Sequence, residues 1–106
     1  MSAEVFAQEL VCALAKHDPR ALLLKARKGP QRTAIIGLVD EDEWIPLLKL
    51  GAATPKFSKM MLMVRQGNRW TPTMQKGSPE QLAELLASPL RHLWQIPLEM
   101  LHMPNF

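Results

Sequence analysis

One tight reversal limits the possible folds more than any other feature: Gly67-Asn68, inside the run FSKMMLMVRQGNRWTPTMQK from Phe57 to Lys76. Glycine at the first central position suits a two-residue type II′ hairpin loop. Such a loop pairs Gln66 with Arg69, Arg65 with Trp70, Val64 with Thr71, Met63 with Pro72 and Met61 with Met74. Side chains alternate across a strand, so Arg65, Met63 and Met61 share a face with Trp70, Pro72 and Met74. The opposite face carries Val64, Leu62 and Met60 with Thr71, Thr73 and Gln75. The first strand is then apolar on both faces and the second on one only. Pro72 falls at a non-hydrogen-bonded pair, where its missing N–H points away from the partner. Strand 69–75 is therefore expected at a sheet edge, and strand 58–66 inside.

The rest of the chain fits around this ribbon. Residues 3–16 have apolar side chains at helical spacing (Val5, Phe6, Leu10, Ala13, Leu14), with Ser2 placed to cap them. His17-Asp18-Pro19 ends that helix, because a residue before proline is pushed from the helical region. The runs ALLLKARK (21–28) and RTAIIGLV (32–39) flank Gly29-Pro30-Gln31 and read as a second hairpin. The first run also has the composition of a helix. Asp40-Glu41-Asp42-Glu43 reads as a solvated turn, since adjacent like charges stay in water. Residues 44–50, WIPLLKL, are expected as an irregular strand, with a short helix capped by Asp42 as the alternative.

Two proline-punctuated helices are expected at the C-terminal end. Ser78-Pro79-Glu80-Gln81 is a capping box with proline at the first helical position. Ser88-Pro89 repeats the device and predicts a second short helix through Leu90, Leu93 and Trp94, broken by Pro97. The fold class is α+β in one domain, 1–106: a helix, a four- to five-stranded antiparallel meander, then short helices on one face. With 47% hydrophobic residues and 22% charged ones, the chain can supply a single core.

No constellation points to catalysis. Ser2, Ser78 and Ser88 read as helix caps and Ser58 as a strand start, and none lies in a nucleophile motif. His17, His92 and His102 show no ligand spacing, and the five glycines form no phosphate loop. Cys12 is alone and, in Leu10-Val11-Cys12-Ala13-Leu14, reads as a packed core thiol. The chain is expected to be non-enzymatic, without cofactor or metal. No leader pattern and no apolar run of ~20 residues is present, so it reads as cytoplasmic.

Two binding functions remain. The first is a protein-interaction adaptor, expected as a homodimer. Its residues are Met61, Met63, Trp70 and Met74 on the hairpin, with Leu98, Leu101 and Phe106 in an unusually apolar tail. The second is nucleic-acid binding through basic hairpin tips: Lys25, Arg27, Lys28 and Arg32 at one, Arg65 and Arg69 at the other. A net charge of +3 is mild for that role.

Overall fold

The computed structural model describes residues 2–53 and 57–102, the last five by backbone alone. Its sheet contains five strands: β1 (Lys25–Lys28), β2 (Thr33–Asp40), β3 (Glu43–Ala52), β4 (Met60–Gln66) and β5 (Arg69–Gly77). They form an antiparallel meander in the order β1-β2-β3-β4-β5, so β4 is interior and β5 is an edge. Gly67 has φ +62, as the first central residue of the tight loop requires. Gln66 faces Arg69, Arg65 faces Trp70, Val64 faces Thr71 and Met63 faces Pro72.

Beyond Pro72 the expected register fails. Met61 faces Lys76, not Met74, because β5 bulges opposite Leu62. The Thr73 hydroxyl donates to the Leu62 carbonyl at 2.8 Å and receives the Gln75 N–H at 3.2 Å. A side chain thus takes the place of the backbone ladder, and Met74 takes φ +66 and becomes 74% exposed.

Residues 43–52 are strand, with Pro46 accommodated at a second irregularity. Gly37 faces Pro46 while Ile36 faces Leu48, which leaves Leu47 as the extra residue. The acidic tetrad is the β2–β3 turn. Glu41 (φ 50) and Asp42 (φ 69) both lie in the left-handed region, as a type I′ loop demands. Residues 21–28 divide: only Lys25–Lys28 is strand, and Pro19–Leu23 is a 3₁₀ turn. Asp18 caps this turn by accepting the Arg20 N–H at 3.0 Å, and Pro19 begins it.

Asp18 also accepts from the Arg20 guanidinium at 2.8 Å and from Gln95 Nε2 at 3.0 Å, joining the start of the 3₁₀ turn to the C-terminal region. These bonds, led by that from the Arg20 side chain, hold its carboxyl below the usual aspartate range. A lowered folded-state pKa adds stability above the unfolded value of about 3.9, and the gain is lost as pH falls through the folded one. Asp18→Ala is therefore expected to cost about 1 kcal/mol at neutral pH. In denaturant titrations, its difference from wild type should shrink as the solution is made more acid than the unfolded value.

Among the described residues three α-helices join the sheet: α1 (Ala3–His17), α2 (Pro79–Ala87) and α3 (His92–His102). Ser2 Oγ accepts the Val5 N–H, and Ser78 with Gln81 forms the reciprocal capping box. Phe6, Leu10 and Leu14 of α1, with Leu82 and Leu86 of α2 and Trp94 of α3, bury against one sheet face. That face carries Ala34, Ile36, Leu38, Leu48, Leu50, Met60 and Leu62. No described helix is long and apolar enough to cross a membrane.

Three expectations are corrected in this layer. Cys12 is exposed, not packed, because two residues past Leu10 is about 200° around the helix, opposite the buried stripe. Ser88-Pro89 does not open a helix, since both Ser88 and Leu90 donate to the Leu85 carbonyl and so close α2. Pro97 lies inside α3 without ending it. It lacks one helical N–H, that toward Leu93, and the preceding turn is held by Trp94 and Gln95 donating to Arg91.

Candidate interaction surface

Among the described residues, the helices bury their side chains against one side of the sheet. Registers across the strands place Arg27, Ile35, Lys49, Met63 and Pro72 in one continuous row on the other side. A second row runs Thr33, Gly51, Met61, Lys76. Lys25 and Gly37 face each other in the next, as do Arg65 and Trp70, and Val39 faces Trp44 beyond them. Alternation assigns all of these outward, because Ala34, Ile36, Leu38, Leu48, Leu50 and Leu62 on the same strands are buried in the helix-facing core.

The apolar members of this face have no core of their own. Ile35, Trp44, Met61, Met63 and Trp70 are half-buried, yet none packs against the main cluster. They are shielded by neighbours within the sheet. A Cβ on Gly51 would meet Met63 Cε at 2.7 Å, so the methionine methyl lies over the bare glycine. The Arg27 guanidinium stacks 4.2 Å from the Trp44 ring centroid, reaching from β1 past β2 to β3. Lys49 and Arg65 each approach the Trp70 ring, both at 6.0 Å. Arg65 also donates to the Gly67 carbonyl at 3.1 Å, which orients it at the loop. Such contacts hold cations close to the apolar surface.

Met61, Met63 and Trp70 of the expected interaction set therefore share one open face. Met74 does not join them in register, for the bulge sets it apart on the exposed edge. Leu98 and Leu101 fall in α3, but their side chains lie outside the described residues, as does Phe106 entirely. The two basic tips are not brought together. In a meander, successive turns alternate ends, so the β1–β2 turn with Lys28 and Arg32 lies at one end. Arg65 and Arg69 lie at the other, the end that also holds the acidic β2–β3 turn. Arg32 stacks on Phe57, 4.4 Å from the ring centroid. Lys25 and Arg27 do share the outward face with Arg65, about three strand spacings or ~14 Å away.

Sequence reasoning missed Ile35, Trp44 and Lys49. The alternation in TAIIGLVD would have found Ile35, but Trp44 needs the extra residue at Leu47, which changes the parity of β3.

Chemistry is sparse elsewhere. Among the described residues no three His, Cys, Asp or Glu side chains converge. A hollow of about 380 Å³ at the start of α1 is lined by Ser2, Glu4, Lys28, Arg32 and Phe57 among others. Comparison with protein families, curated proteins and solved structures returns no match.

Proposed function

We propose that the chain is a non-catalytic accessory or adaptor module that binds another protein through the helix-free face of its sheet. The observation that carries this reading is a patch of half-buried apolar residues in neighbouring rows of one sheet face, Ile35, Met61, Met63 and Trp70, that no described helix covers. Methionines are adaptable contact residues, and contiguous apolar surface rimmed by charge marks binding sites in small domains. The homodimer part of the expectation draws less support from the edge strand. Pro72 removes one donor from β5 and the left-handed Met74 interrupts its line, both of which discourage strand addition.

The nucleic-acid alternative draws on the same face, since aromatic rings and cations on an open sheet can stack bases. It is weaker because Arg27 already stacks on Trp44 and Lys49 and Arg65 crowd Trp70. Benzoylphenylalanine placed at Met61 and photolysed in the source cells tests the adaptor reading, with Glu84 on exposed α2 as the control position. Discrete protease-sensitive adducts at position 61, absent at 84, are expected. Nuclease-sensitive adducts, or equal yields at both positions, would overturn it.

A further inference from the structure

The chain carries 13 basic and 10 acidic residues, but the two are not mixed evenly over its surface. Five cations occupy outward positions of the sheet: Lys25 and Arg27 on β1, Lys49 on β3, Arg65 on β4 and Lys76 on β5. No outward strand position holds a carboxylate. Nine of the ten acids instead belong to α1 (Glu4, Glu9), to α2 (Glu80, Glu84), to the 3₁₀ cap (Asp18) and to the β2–β3 turn (Asp40 to Glu43), and the tenth, Glu99, falls in α3 with its side chain outside the described residues. The mild net charge is thus the average of two unlike sides.

We propose that the partner seated on this face is an acidic polypeptide segment that also presents apolar side chains. The inference rests on the adaptor reading and specifies its partner. Three of the five cations are already set against tryptophan rings, so ordering them on binding costs less than ordering free lysines would. Between them lie Ile35, Met63 and Met61, which have no charge to offer and take up aliphatic or aromatic groups. Carboxylates on a partner would meet Arg27 and Lys76 at the ends of their rows and Lys49 within the first, while its apolar side chains settle on Ile35, Met61 and Met63 between them. A second copy, face to face, would set five cations against five, which argues against self-association through this surface. A phosphate backbone would satisfy the charge, but the bases would find Trp44 covered by Arg27.

The test is a titration with a peptide of alternating Glu and Leu, compared with poly-Glu, a Lys-Leu peptide, oligo-dT and vesicles of phosphatidylserine with phosphatidylcholine. Trp44 and Trp70 report on the face, and buried Trp94 is the internal reference. The Glu-Leu peptide is expected to shift Trp44 and Trp70 alone, in a salt-sensitive manner, and to outbind poly-Glu. The pair Lys49→Glu and Arg65→Glu should weaken it by about tenfold or more. Lys49→Gln with Arg65→Gln should weaken it less and guards against misfolding of the reversal. Preference for oligo-dT, for the vesicles or for the Lys-Leu peptide would overturn the inference, as would unchanged affinity in a folded charge-reversal variant. No binding of Glu-Leu peptide alongside a protein adduct at position 61 would overturn this inference and leave the adaptor reading intact.

Discussion

Trp94→Ala is expected to lower the stability of the fold by roughly 3–5 kcal/mol, the usual cost of emptying a large buried aromatic site. Trp94 is fully buried and joins α3 to the core formed by α1, α2 and the sheet. Its second role is polar. Where α2 ends, the Leu90 N–H reaches the Leu85 carbonyl at 2.8 Å, the six-to-one bond that closes many helices. The companion bond would come from residue 89 to the Leu86 carbonyl, but residue 89 is proline and has no N–H. The Trp94 indole supplies it instead, donating to Leu86 at 2.7 Å. Trp94→Phe keeps most of the volume and removes that donor, so a smaller loss of about 1–3 kcal/mol is expected. Domains of this size hold about 5–15 kcal/mol, so the alanine variant should melt some 15 °C or more below wild type in a calorimetric scan. Equal losses in both variants would mean that the hydrogen bond, not the volume, dominates.

Gly37→Ala is expected to cost about 1–3 kcal/mol and to disturb the outward face as well. A Cβ at Gly37 would run into the Ile45 carbonyl oxygen and lie 3.0 Å from Pro46 Cα. Both are backbone atoms at the β2–β3 irregularity, so no side chain can swing aside to make room. The strand itself must shift. The irregularity also sets the parity that carries Trp44 onto the outward face under Arg27. Loss of stability in denaturant should therefore be accompanied by a changed Trp44 environment in NMR spectra of labelled indoles, with Trp70 little altered. Gly51→Ala is the useful contrast, since its added carbon meets only the movable end of Met63.

What could be read in the sequence was what short-range chemistry decides. The turn at Gly67 and the four pairs next to it follow from glycine's tolerance of positive φ and the period of two along a strand. The capping box at Ser78 is equally local. The failures share a different cause, competition from a group elsewhere. The Thr73 hydroxyl displaced the ladder and moved Met74, while the end of α2 captured the N–H groups of Ser88 and Leu90. Cys12 was misplaced for a simpler reason: its neighbours in sequence were apolar, but its position around the helix was opposite Leu10. Met61, Met63 and Trp70 were legible as one face. Ile35 was legible in the alternation of its own strand, but its place beside them, and those of Trp44 and Lys49, became visible only with the strand order, because cross-strand rows join residues as far apart in sequence as Arg27 and Pro72.

The methionine methyls test the openness of this face most directly, through their relaxation enhancement by a soluble gadolinium chelate. Met74 should broaden most, Met61 and Met63 clearly, and fully buried Met60 hardly at all. Protection of Met61 and Met63 to the level of Met60 would show that the chain or a second copy closes the sheet, and would contradict the account.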